Sequence, residues 1–233
     1  MYKTRIFLRF AFIPALSLLV LAIAVPAFGT DPTEEGWVLK KQTDNLTIYN
    51  REKEGSDIKE LLAIGIIDAP PARVFKVVGD YENFKDFMPY TVASHVIKTE
   101  PYQGKTRTWW FTRLNLPLVS DRYYTLVLTD GKEGDSYKSE WFMAKDLPPD
   151  PAWGDPSIAA YQGKGSEPVK TRENKGYWLF EPVEGGTKTR AHYYVYTDPG
   201  GAIPTSIANK ANSIAVPKLF NAVRERVKDP KYN

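Results

Sequence analysis

Strand-like segments succeed one another through most of this chain with no helix between them, and that order restricts the fold more than any other feature. Thr91–Thr99, Thr106–Asn115, Arg122–Thr129, Ser136–Ala144, Gly176–Pro182 and Lys188–Thr197 are rich in aromatic and β-branched residues, with glycine- or proline-containing turns between most of them. Strands joined in this way form an antiparallel meander. Leu46–Asn50 and Ile58–Ile67 read as two earlier strands around a turn at Gly55-Ser56-Asp57. Parallel βαβ packing does not fit this order. An antiparallel sheet with a few segregated helices does, which makes the class α+β.

Few segments have a helical pattern. Asp31–Lys41 reads as a short opening helix, with Asp31 as cap, Pro32 in the first turn, and Glu34 and Glu35 at its positive end. Asp68-Ala69-Pro70-Pro71 starts a second helix, whose apolar side is Val74, Phe75, Val77 and Val78. Tyr81–Met88 continues as a turn or a short helix that ends at Pro89. The last helix is the longest. Pro204 fits its first turn, and Ile207, Ala208, Ala211, Ile214, Ala215, Leu219, Phe220, Val223 and Val227 recur at three- and four-residue spacing. The second half of that stripe carries the bulk of a core anchor. The first half is Ile and Ala. Either the small residues let the helix lie close on the sheet, or they roof a cavity. Pro217, between the halves, removes one helical hydrogen bond and predicts a kink there.

In order along the chain, several segments resemble the START domains, the lipid-transfer modules related to steroidogenic acute regulatory protein. Trp37-Val38-Leu39 before Asn45-Leu46-Thr47-Ile48-Tyr49 resembles the family's opening tryptophan and first strand, and Leu61-Leu62-Ala63-Ile64-Gly65 the second strand. Leu116-Pro117-Leu118-Val119-Ser120-Asp121-Arg122 is similar to the proline-to-arginine loop, and Thr171-Arg172-Glu173-Asn174-Lys175-Gly176-Tyr177-Trp178 to a late segment. Asp198-Pro199-Gly200-Gly201-Ala202-Ile203-Pro204 matches the most specific feature, the turn into the last helix. The resemblance implies a helix-grip fold: a curved antiparallel β-sheet around an apolar cavity, closed by the long C-terminal helix. It implies a lipid or sterol-like apolar ligand, transfer or sensing as output, no cofactor and no catalysis. The entrance would lie between the first half of the last helix and the Asn115–Asp121 loop, where Leu114, Leu116, Leu118 and Val119 are either a lipid-facing rim or packing under the sheet edge. The chain departs from some sterol-binding relatives at one place: Trp109 stands near the position of an acidic residue in the strand before the arginine.

The candidate ligand-binding residues are Trp109, Trp110, Arg122, Tyr124, Trp141, Trp178, His192 and Tyr194 on strands, with Ile207 and Ala211 on the last helix. Alternation sends part of the aromatic set inward, where rings give broad apolar contact with a few hydroxyl or indole donors. Arg190, His192, Tyr194 and Tyr196 share one strand face, and Ala191, Tyr193 and Val195 share the other; the pattern does not say which points inward. Arg122 either contacts the ligand or holds its own loop through Asp121 or backbone carbonyls.

Other chemistry finds little support. There is no Cys, and His95 and His192 are the only histidines, so convergent metal ligands are lacking. Ser120, Asp121 and His192 come without a Gly-x-Ser-x-Gly turn, and Gly163-Lys164-Gly165 lacks the remainder of a nucleotide-binding loop. Asn45-Leu46-Thr47 matches a glycosylation sequon by chance. The alternative function is a helix-grip cyclase or aromatase-like enzyme acting on an apolar substrate, with Arg190, His192 and Tyr194 as its acid–base candidates. A second alternative is a protein-binding module using Lys145–Arg172, whose prolines 148, 149, 151, 156 and 168 make it either a functional loop or an insertion.

The first residues carry their own signal. Lys3, Arg5 and Arg9 precede an apolar run from Phe10 to Ala24, and Ala27-Phe28-Gly29 supplies small residues for cleavage. That is a secretory signal peptide over residues 1–29, leaving 30–233 as one START-like domain. The competing reading is a retained anchor, for which the run is shorter than the ~20 apolar residues of a span; cleavage after Ala24 or Ala27 is also open. Removing 1–29 takes three basic and no acidic side chains, leaving 28 of each sign. A near-neutral chain has no extended basic surface for nucleic acid. Export without disulfides fits a periplasmic protein in transient contact with a membrane; no protein partner is indicated.

Overall fold

The computed structural model describes residues 32–116, 119–144 and 168–233. The expected signal peptide, Pro117, Leu118 and most of Lys145–Arg172 lie outside the described residues. Ten strands form one sheet: β1 (Val38–Thr43), β2 (Leu46–Lys53), β3 (Ser56–Ile67), β4 (Thr91–Tyr102), β5 (Lys105–Leu114), β6 (Arg122–Glu133), β7 (Ser136–Met143), β8 (Val169–Lys170), β9 (Glu173–Val183) and β10 (Lys188–Asp198). The order is β1-β2-β3-β10-β9-β7-β6-β5-β4, with every pair on that path antiparallel. The short β8 runs parallel to the start of β6. The sheet is curved and open, with β1 and β4 at its edges.

Among the described residues, three helices accompany it: α1 (Pro71–Val78), α2 (Phe84–Phe87) and the terminal α3 (Thr205–Arg226). Helix α1 packs on β7, β9 and β10, and α3 lies over β3 and beside α1. Among the described residues, no helix is long and apolar enough to cross a membrane.

The opening helix is an element the sequence misplaces. Only Pro32–Glu35 is helical, as a single 3₁₀ turn, and Val38–Thr43 is a strand. Gly36 holds φ +81°, a left-handed value that ends the turn and that an L side chain rarely adopts. Trp37 then buries its ring beneath the Arg51 guanidinium, 4.3 Å from the ring centroid, which commits the next residues to pairing with β2. All six residues of β1 are exposed, so no strand alternation marks it in the sequence.

The two halves of the terminal stripe separate as packing. Phe220 and Val223 are fully buried, and Val227 nearly so. Phe220 meets Trp178 at 5.2 Å between ring centroids and lies over Gly65, where a Cβ would come within 2.7 Å of its ring. Gly65 is therefore the hollow in β3 that lets the anchor seat. In the first half, Ile207 and Ile214 remain 45% and 48% exposed, and among the described residues only Ala208 and Val216 are buried. That half is tied down by polar contacts: Asn209 accepts from the Lys59 N–H at 2.9 Å and donates to the Asp57 carbonyl at 3.1 Å. The helix begins at Thr205, capped by Pro204, and runs through Pro217.

Candidate functional site

Strand alternation sets what the concave face presents. Trp110 of β5, Tyr124, Leu126 and Leu128 of β6, Ser139 and Trp141 of β7, Asn174 and Trp178 of β9, and Tyr193, Val195 and Thr197 of β10 all face one cavity. Ile207, Ala208, Ala211, Ile214, Ala215, Val216 and Leu219 of α3 cover it. Its volume is about 520 Å³. The small residues of the first helical half therefore roof a space rather than close onto the sheet. Leu114, Leu116 and Val119 border the same cavity, as do Pro89 and Tyr90.

Aromatic rings from β5, β6, β7, β9 and β10 line the cavity, and the indole donors of Trp110 and Trp141 are engaged within the wall. Trp110 stands edge-on to Phe84 at 5.1 Å and to Tyr124 at 6.5 Å, and its Nε1–H donates to Ser94 Oγ at 2.7 Å. Trp141 Nε1–H donates to Asn174 Oδ1 at 2.8 Å. Tyr193 packs on Trp178 and Trp141 at 4.6 and 5.9 Å. The expected indole donors of Trp110 and Trp141 are thus turned away from any guest, and the rings offer it apolar surface.

Trp109, His192 and Tyr194 do not line the cavity. Trp109 follows the alternation that puts its neighbour Trp110 inward, and it lies outside beneath Lys98 Nζ, 4.5 Å from the ring centroid. Tyr194 stacks on Tyr177 at 5.4 Å and donates its hydroxyl to Glu60 at 2.6 Å. His192 pairs with Glu181 at 2.8 Å; burial pushes its pKa down, opposed by the Glu181 carboxylate. The inward residues of β10 are instead Tyr193, Val195 and Thr197. Tyr193 is the cross-strand partner of Trp178, so the two share a face. Nothing in the sequence marked Asn174, Tyr81 or Ser139 as cavity residues.

Arg122 borders the cavity with its guanidinium bound to the chain. It is 3% exposed and donates to the carbonyls of Pro199 at 2.9 Å and Gly200 at 3.3 Å, and to those of Ser120 and Asp121. It joins the loop before β6 to the turn that leads into α3. Asp121 is held separately, by Arg113 at 2.6 Å and by Asn115 Nδ2 at 2.9 Å. Arg122→Met keeps the apolar stem and strands these carbonyls. It should lower stability by about 1–3 kcal/mol in a chemical denaturation curve. A change under ~0.5 kcal/mol would mean that water replaces the guanidinium without loss.

Two lining residues, Tyr81 and Ser139, belong to a polar network. Tyr81 donates its hydroxyl to Asp130, with both carboxylate oxygens at 2.9 and 3.0 Å, and meets Ser139 Oγ at 3.0 Å. Burial raises the Asp130 pKa above the ordinary carboxylate value, against the lowering effect of hydrogen bonds from Ser139 and Tyr81. The folded state thus holds this proton more tightly than the unfolded chain does. Its contribution to stability is complete below the unfolded pKa and is lost as pH rises through the folded one. Asp130→Asn keeps an acceptor for Tyr81 without the charge. Its melting temperature should gain on the wild type as pH rises from about 4 to 7. A variant that loses ground to the wild type over that range would reverse the sign.

The comparisons with known proteins agree with this geometry. Residues 67–129 match the family described as polyketide cyclase/dehydrase and lipid transport. An uncharacterized protein of Pseudomonas aeruginosa is 25% identical over 195 residues, 83% of this chain and 88% of that protein. The crystal structure of a STAR-related lipid transfer protein from Xanthomonas axonopodis superposes with a TM-score of 0.68 at 23% identity, covering 83% of this chain and 99% of that one. Human STARD10 gives 0.68 at 15% identity, covering 85% and 76%.

Proposed function

We propose that this chain, which has the START-type helix-grip fold, binds one lipid or sterol-like apolar molecule in the cavity beneath the first half of α3, and carries or senses it without catalysis. The observation that carries this reading is an apolar-walled space of about 520 Å³ where a core would otherwise be. At ~24 cal/mol per Å³, a sealed dry void of that size would cost on the order of 12 kcal/mol, as much as the whole stability of many domains. A guest restores the lost contacts, at roughly 0.8 kcal/mol per buried methylene. The half-exposed Ile207 and Ile214, which line the cavity together with Leu116 and Val119, offer a path for entry from a membrane. The same reading takes residues 1–29 as a cleaved signal and the periplasm as the place of action.

The enzyme alternative draws on the cyclase and dehydrase part of the family's description. It is the weaker reading because its acid–base candidates His192 and Tyr194 make their contacts on the face opposite the cavity. Native mass spectrometry of the protein purified from its own host, followed by organic extraction, tests the proposal. A stoichiometric apolar ligand is expected. A clean apo mass, unchanged after incubation with the host's lipids, would move the weight to catalysis or protein binding.

A further inference from the structure

The tyrosines of this protein divide by what their hydroxyls do. Tyr81 donates to Asp130, Tyr194 to Glu60, Tyr196 to Ser56 and Tyr232 to Asp80. Tyr124 and Tyr193 both line the cavity, and neither hydroxyl has a hydrogen-bond partner among the described residues. Tyr124 is only 9% exposed. Burial raises both phenol pKa values, and the nearby Tyr124 adds to the rise at Tyr193, so both keep their protons and stay neutral. A buried phenol ordinarily finds a partner for its O–H. Both residues line the space a guest would fill.

Two further neutral groups border the same space. Asn174 lines the cavity and is 6% exposed; its Oδ1 accepts from the Trp141 indole, and no partner for its amide N–H groups is found among the described residues. Thr171 is 2% exposed; its backbone N–H bonds to the Tyr123 carbonyl, which sets it beside Tyr124, and its hydroxyl has no partner among the described residues. Negative charge is what the described lining lacks. No Asp or Glu is among the described lining residues. Of the two cationic ones, Arg122 is bound to backbone carbonyls and Lys210 is exposed on the helix. An ionised headgroup drawn inside would leave water without a counter-ion.

We infer that the ligand is an uncharged, hydrocarbon-rich molecule with one hydroxyl or carbonyl, and that Tyr124 and Tyr193 hold this group, assisted by Asn174 and Thr171. This rests on the cavity being a ligand site. The hydroxyls of Tyr124 and Tyr193 select for the polar group, while the surrounding Trp110, Trp141 and Trp178 rings hold the hydrocarbon without selecting for it.

The test offers the protein phosphatidylcholine vesicles doped with 1-hexadecanol, hexadecane or hexadecyl phosphate, re-isolates it, and counts occupancy by native mass spectrometry. The wild type should take up the alcohol about tenfold more than the alkane, the value of two modest hydrogen bonds, and exclude the phosphate. Tyr124→Phe combined with Tyr193→Phe should erase that preference and leave alkane uptake unchanged. Preference for hexadecyl phosphate, or capture of phosphatidylcholine itself, would overturn the inference while keeping the cavity as a ligand site. So would a double variant that still favours the alcohol. The comparison among the three probes in the wild type stands even where the variant folds poorly. Should no probe and no vesicle lipid bind, both the inference and the ligand-site reading fall.

Discussion

Phe220→Ala lowers the stability of this protein by about 3–5 kcal/mol and its melting temperature by roughly 6–20 °C. The size follows from the site. Phe220 is fully buried, meets Trp178 at 5.2 Å and fills the hollow that Gly65 leaves in β3. Arg224 lies over the same ring at 5.6 Å and reaches on to the carbonyls of Ile66 and Asn45, so truncation also loosens the polar tie between helix and sheet. Neighbouring groups cannot collapse into the gap easily, because the helix backbone and β3 fix its two sides. Ile207→Ala, on the same helix, is the internal control. Its side chain is 45% exposed, and its loss should cost under ~1 kcal/mol. Denaturant titration of both variants measures the contrast. Equal costs would refute a helix divided into an anchor and a roof; a Phe220→Ala cost under ~1 kcal/mol would refute the anchor alone.

That division was half legible beforehand. The change from Ile and Ala to Leu, Phe and Val along the stripe marked two kinds of packing. Composition left open whether Ala meant close contact or a cavity, since both present a small side chain to the sheet. The meander from β4 to β7 was readable because its strands are long and its turns short. The adjacency of β3 and β10 was not, because strands so distant in sequence pair through the closing of the whole sheet. Tryptophans and tyrosines populate both faces of β5 and β10, so period two separates Trp109 from Trp110, and Tyr194 from Tyr193, without saying which set is inside. The register resolves this by setting Tyr193 opposite Trp178 and Trp110 opposite Leu126. Trp110, Tyr124, Trp141, Trp178, Ile207 and Ala211 consequently border the cavity, as does Arg122, while His192 joins Glu181 outside.

Filling the roof should abolish ligand binding and leave the fold standing. Ala208 is the residue for this, being 6% exposed, on the cavity side of α3, and within the half of the helix that carries little of the packing. Ala208→Trp places an indole directly below the helix, in space the ligand would occupy. In a filled core, such a change costs about 1–3 kcal/mol through strain. Here part of that cost is offset, because the ring enters an apolar space of about 520 Å³ and gains contact with its walls. Apparent stability without ligand should then stay within ~1–2 kcal/mol of the wild type, while ligand occupancy in native mass spectra falls at least about tenfold. A large loss of stability with ligand still bound would mean that the first half of α3 packs as tightly as the second and that the guest lies elsewhere. Unchanged occupancy at unchanged stability would mean that the indole swings out to solvent, and Ala215→Trp, nearer the anchored half, would then be the stricter block. Loss of the ligand with the fold retained would tie the sparse sequence of this helix directly to what it covers: small side chains stand there because the remaining volume belongs to the guest.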